Sequence, residues 1–193
     1  MTAFAETTLT TARLVLTPLR QADAGVMVDV LGDRRLHEFI GGQPASHAEL
    51  HERYGRLAAG SPRPDEIWLN WVVRRRAGHA PVGTVQATVS REPGGWTAHV
   101  AWVIGLPWQG QGFASEAAGA LVDWLRDQGA TTIGAAIHPD HQASATVAAR
   151  SGLVPTDEEV DGEQIWRLVP ARLGPARPGL AILTGYRRHS NSK

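Results

Sequence analysis

The chain lacks cysteine entirely. That one absence excludes disulfides, thiolate metal sites and a cysteine nucleophile. Lysine is nearly absent too, since Lys193 stands alone among 19 basic residues, a bias to which we attach no mechanism. Net charge is +0, so the whole molecule has no field that would draw nucleic acid, and any anion site must be local. No apolar run approaches the length of a membrane span, and the opening MTAFAETTLTT has neither a basic region nor an apolar signal core. The expected compartment is therefore the cytoplasm, with neither nucleic acid nor membrane as partner. The 193 residues, 42% hydrophobic and 20% charged, are those of one ordinary soluble domain with a real core.

The richest stretch runs from Trp96 to Gln128. WTAHVAWVI alternates and is rich in Val, Ile and Trp, which predicts a half-buried strand. GLPWQGQG places Gly105, Pro107, Gly110 and Gly112 close together, a composition for a tight loop. FASEAAGALVDWLRDQ repeats apolar residues at Ala114, Ala117, Ala118, Leu121, Val122 and Leu125, which is helical spacing, and Gly129 stands where a C′ cap belongs. A glycine loop thus delivers a strand into a helix N-terminus, where unpaired N–H groups and the positive end of the macrodipole favour an anion.

Phosphate-binding loops differ in their details. A P-loop needs Lys and then Ser or Thr after its last Gly, but Gly112 is followed by Phe113 and Ala114. A dinucleotide fingerprint needs a third Gly and an acid after the next strand, whereas GQGFAS ends in Ser115 and that strand ends near Ile137, before His138. Gln109 to Ala114 instead resembles the Q/R-x-x-G-x-G/A signature of the GNAT superfamily of N-acetyltransferases. The longer VIGLPWQGQGFASEA is similar to the version in its RimJ/RimL-like branch. Thr11-Ala12-Arg13-Leu14-Val15-Leu16-Thr17-Pro18-Leu19, a predicted first strand, also resembles the T-x-R-L-x-L-x-x-L opening of that branch.

Between these motifs, Asp23 is placed to cap a short helix bearing Val26, Met27, Val30 and Leu31. Leu36 to Gly42 reads as a loop. Ser46 and Glu49 have capping-box spacing and open a second helix with Leu50, Tyr54 and Leu57 on one side. His47 and His51 on that helix lack a third ligand, so they read as a solvated face. Ile67 to Arg75, Val82 to Ser90 and the Trp96 strand, joined by short turns, predict an antiparallel meander, which disfavours a Rossmann half. Thr131 to Ile137 is a further strand, Ala143 to Ser151 a short helix, and Leu153 to Thr156 with Gln164 to Val169 a hairpin around Asp161-Gly162. The order matches what the resemblance implies: an α/β (α+β) GNAT fold, a mixed, mostly antiparallel twisted sheet of about seven strands flanked by about four helices. The domain is expected over residues 1–169, with 170–193 a tail that docks or is partly disordered.

The resemblance also implies chemistry. Backbone groups of Trp102, Val103 and Ile104 would hold the pantetheine arm of acetyl-CoA and polarise the thioester, and Gln109, Gly110, Gln111, Gly112, Phe113, Ala114 and Ser115 would form the pyrophosphate loop. His141 replaces the Asn of the second family motif, His141-Gln142-Ala143-Ser144, and brings a charge that varies with pH. Ser144 is the candidate acid for the departing thiolate, against simple helix capping. Glu116 is either catalytic or placed for the helix dipole. His99 stands where the branch often carries Glu and is the candidate base, against a histidine hydrogen-bonded across the sheet. The first two helices flank the acceptor side, and no metal is expected. The expected reaction is transfer of acetyl from acetyl-CoA to a primary amine by direct attack, with a small metabolite or antibiotic as acceptor. The alternatives are a protein N-terminus or a non-catalytic CoA-binding module, in a monomer or homodimer.

Overall fold

The computed structural model describes residues 4–169. Among these described residues eight strands form one sheet: β1 (Leu9–Thr10), β2 (Leu14–Pro18), β3 (Glu66–Arg75), β4 (Pro81–Glu92), β5 (Gly95–Ile104), β6 (Ala130–Ile137), β7 (Leu153–Val160) and β8 (Glu163–Leu168). Five helices accompany them: α1 (Ala24–Leu31), α2 (His37–Ile40), α3 (His47–Ala59), α4 (Phe113–Asp127) and α5 (Gln142–Arg150). Strand order is β1-β2-β3-β4-β5-β6-β8-β7. Every ladder is antiparallel except β5 with β6, whose parallel pairing is made possible by α4, the crossover between them.

The two faces of the sheet bury different helices. Along β5, Ala98, Val100 and Ile104 enter the main core, where α4 contributes Phe113, Ala117, Leu121 and Leu125. The alternate residues His99 and Ala101 are exposed on the opposite face. On that face α1 and α3 form a second core of Leu19, Ala24, Met27, Leu50 and Tyr54 over Val72 of β3. The period of two along each strand therefore separates the face packed by α4 from an open face only partly covered by α1 and α3.

Caps and turns follow the sequence with three corrections. Ser46 and Glu49 do form a reciprocal capping box at α3. Asp161 (φ 53°) and Gly162 (φ 81°) make the two-residue turn between β7 and β8. Asp23, however, does not cap α1: its carboxylate accepts from Arg20 N–H at 2.8 Å and from the Arg74 guanidinium at 2.6 Å, closing a 3-10 turn over Gln21–Asp23. Leu36 to Gly42 is not simply a loop, because a 3-10 turn over Arg34–Leu36 leads into the one-turn helix α2, ended by Gly41 at φ 74°. Asp33 starts this segment by accepting from Arg35 N–H at 2.9 Å, and so short an element leaves no hydrophobic period to detect. The two-residue strand β1, paired as Leu9↔Leu16, was likewise too short to be read. The expectation for the tail 170–193 lies outside the described residues.

Candidate active site

The site begins where two strands part. β5 pairs with β6 only from Trp96↔Ala130 to His99↔Gly134. From Gly134 onwards β6 pairs on its other side with β8, and Val100 to Ile104 of β5 have no partner on the β6 side among the described residues. The gap exposes backbone N–H and C=O groups of a central strand, a place where a ligand with amide groups can complete the ladder.

Beyond Ile104 the chain makes a 3-10 turn at Leu106–Trp108 and reaches α4 through Gly110 (φ 72°) and Gly112 (φ 79°). Both glycines occupy left-handed conformations that a side chain would strain. Two glutamines tie this turn down: Gln109 Nε2 donates to the Ile104 carbonyl at 2.8 Å, and Gln111 Nε2 to the Pro107 carbonyl at 3.1 Å. The N–H groups of Gly110 to Ser115 find no acceptor among the described residues, as expected for a helix N-terminus.

A residue not singled out for the site braces this loop from below. The Arg13 guanidinium donates to the Gln111 carbonyl at 2.9 Å and to Glu116 at 2.6 Å, and lies 4.8 Å from the Phe113 ring centre. Glu116 also accepts from Thr11 Oγ1 at 2.6 Å and Arg13 N–H at 2.8 Å. Burial alone would raise the Glu116 carboxyl, but the hydrogen bonds from Thr11 and Arg13 outweigh it and hold it below the usual range. Glu116 does not line the cleft described next. Its oxygens are engaged in joining the segment just before β2 to α4.

The strand gap, the loop and α5 enclose a cleft of about 650 Å³. Trp102, Val103, Ile104, Gln109, Gly110, Gly112, Phe113, Ala114, Ser115 and His141 line it, while Gln111 does not. Ser144, Asp140 and Trp108 line it as well, and so do Arg35, Phe39 and Arg150, for which the sequence carried no site signal. Two tryptophans of β3 stay outside the cleft: Trp71 is fully buried in the core and Trp68 donates to Glu66 at 2.7 Å.

The structure gives the cap of α5 to His141 and not to Ser144. His141 is the N-cap of α5, its Nδ1 accepting the Ser144 N–H at 3.4 Å, and its ring stacks on Phe39 at 4.3 Å. Burial pulls the His141 imidazole below the ordinary histidine value, favouring the neutral form that can accept. Ser144 therefore does not cap the helix, and its hydroxyl makes no hydrogen bond among the described residues. On the opposite face of the sheet lies a second hollow of about 390 Å³, lined by His99, Thr88, Gln86, His138 and Glu163. Phe39, Trp102, His141 and Ser144 border both spaces. The His99 ring makes no cross-sheet hydrogen bond among the described residues, although Thr88 is its paired neighbour.

These features can be tested against acetyl-CoA. A diphosphate needs several convergent N–H donors and a backbone free of Cβ atoms, which the Gly110–Ser115 segment supplies. An amide-bearing arm needs an unpaired strand edge leading from them, which Val100 to Ile104 supply. The ligand fits.

Residues 13–154 match the family model described as acetyltransferase (GNAT) domain. No curated protein matches the sequence. Among solved structures, the chain is similar to RimL, a ribosomal L7/L12 alpha-N-protein acetyltransferase in complex with coenzyme A, with TM-score 0.70 and 16% identity over 84% of this chain and 98% of that one. An acetyltransferase from Agrobacterium tumefaciens str. C58 is similar at TM-score 0.65 and 24% identity, covering 88% of this chain and 98% of the other. The aminoglycoside acetyltransferase AAC(6')-Ib in complex with coenzyme A follows at TM-score 0.62 and 16% identity, covering 80% and 92%. The match spans most of the chain and includes the strand, loop and helix that build the cleft; the chain belongs to the GNAT acetyltransferase family and is an acetyl-CoA-dependent N-acetyltransferase.

Proposed function

We propose that this enzyme acetylates a small amine-bearing molecule by direct attack, with the donor lying on the α4 and α5 side of the sheet and the amine approaching from the opposite face. The observation that carries this reading is the gap between β5 and β6, through which the 650 Å³ cleft and the hollow containing His99 share Phe39, Trp102, His141 and Ser144. Bound acetyl-CoA supplies the activated acyl group. The protein contributes position and charge.

Amides of Gly110 to Ser115 hold the diphosphate, and Gln109 keeps the strand end and the loop in one piece by its bond to Ile104. Backbone groups at Trp102 to Ile104 orient the arm and polarise the thioester carbonyl. The Ser144 hydroxyl gives a proton to the departing sulfur, a reading supported by its lining the cleft without a capping role. His99 receives the proton from the amine. It lies four residues before Val103, about 13 Å along a strand, so the proton passes through water in the hollow rather than directly.

The test is release of free thiol from acetyl-CoA across a panel of small primary amines and short peptides. Turnover with small amines is expected. Acetylation confined to peptide N-termini would move the acceptor to proteins, and tight acetyl-CoA binding with no turnover would make the chain a CoA-binding module.

A further inference from the structure

A third cavity, of about 120 Å³, lies under α1 and α3 against the open face of the sheet. It meets the donor cleft at Val103 and Leu36, which line both. Its walls are mostly apolar: Leu19, Val28, Leu31, Leu50 and Leu57 from the helix side. The sheet contributes Asn70, Thr84 and Gln86, all neutral. The ionisable groups facing it are His37, Arg53 and Tyr54, and among the described residues no Asp or Glu lines it. Burial pushes the Tyr54 phenol up to about 12, so this group is neutral at physiological pH.

We infer that the acceptor is a small monoamine whose apolar group seats in this cavity and which carries no second cationic centre. The inference rests on the proposed function and adds the substrate class. The amine itself projects toward Val103, the residue shared with the donor cleft. The volume admits a compact hydrocarbon group of about four water volumes. A second ammonium entering here would lose hydration, find no carboxylate among the described residues and pass beside the cationic Arg53, an arrangement that is costly for a buried charge. A polycationic acceptor is therefore rejected by charge as well as by size.

Initial rates at saturating acetyl-CoA test this with isoamylamine and phenethylamine against cadaverine and paromomycin. The apolar monoamines are expected to show kcat/KM at least tenfold higher than the polycations. Ala45→Phe, which narrows the cavity from the loop before α3, should raise KM for isoamylamine tenfold or more and leave KM for acetyl-CoA unchanged. Ala45→Met serves the same purpose if the larger side chain prevents folding. Preference for cadaverine or paromomycin, or a folded Ala45 variant with unchanged amine KM, overturns the assignment while leaving acetyl transfer intact. Acetyl-CoA that binds by calorimetry but yields no thiol with any amine overturns the transfer reading, and this assignment with it.

Discussion

At the scale of single residues, substitutions at Gly112, His99 and His141 test cofactor binding, proton transfer and helix capping separately. Gly112 has φ 79°, and a Cβ there would come within 3.4 Å of the Arg13 guanidinium. Gly112→Asp adds backbone strain and a negative charge at the diphosphate site, and should weaken acetyl-CoA binding at least tenfold, about 1.4 kcal/mol, by calorimetry on a folded variant. Unchanged affinity would move the diphosphate elsewhere. His99→Ala should lower kcat by about 10²-fold and leave acetyl-CoA affinity intact. A variant that keeps the rate would show that the amine loses its proton to another group. His141 tests the electrostatics of the cap. Because burial lowers its folded pKa, the unfolded chain binds the proton more readily, so this contribution to stability is full above the ordinary histidine value of 6.5 and is lost as pH falls below it. His141→Asn keeps a good N-cap without a titrating ring, and melting curves should lose that part of their acid dependence.

At the scale of elements, the central contact is the one between the start of β2 and the start of α4. Thr11 and Arg13 reach across more than half the chain to Glu116, and Arg13 extends the contact to the Gln111 carbonyl of the diphosphate loop. Both partners stand in motifs that the sequence displays, T-x-R-L and F-A-S-E-A, but nothing in either motif says that they touch. The depressed Glu116 carboxyl fixes the sign: its stabilisation is present above the ordinary value of 4.5 and is lost as pH falls through the folded value. Glu116→Gln should cost about 1 to 3 kcal/mol at neutral pH, with the deficit shrinking in acid, and should raise KM for acetyl-CoA by loosening the loop. An unchanged KM would reduce the contact to a fold staple.

What could be read from the sequence at this scale was whatever repeats over a full turn or strand. The alternation of Trp96 to Ile104, the helical spacing in Phe113 to Asp127 and the Ser46–Glu49 box all became the expected elements. Short pieces escaped: β1 has two residues and α2 four, too few for a period. The loop residues of the cleft were legible because glycine at φ > 0 and a helix N-terminus leave a local signature. Phe39, Arg35 and Arg150 were not, since they reach the cleft only through tertiary packing. Asp23 misled for a related reason: a capping residue is defined locally, but Arg74, 51 positions away in sequence, holds its carboxylate.

At the scale of the whole molecule, β1 to β5 form one leaf of the sheet and β6, β8 and β7 the other, joined by the single parallel ladder from Trp96↔Ala130 to His99↔Gly134. That seam is short, and the crossover helix α4 spans it. A ligand lying in the gap touches both leaves, with β5 and α4 on one side and α5 on the other. Such a ligand acts as a splint. Binding only to the closed arrangement, it should suppress the rare opening of the seam itself, so amide hydrogen exchange at residues 96–99 and 130–134 should slow on adding acetyl-CoA more than exchange in the β3–β4 ladder, where the strands already pair along most of their length. Equal slowing throughout would mean that the two leaves open only when the entire domain unfolds. If the splint holds, the two leaves separate mechanically at the active site first, and occupancy by the donor governs how long the enzyme survives a protease.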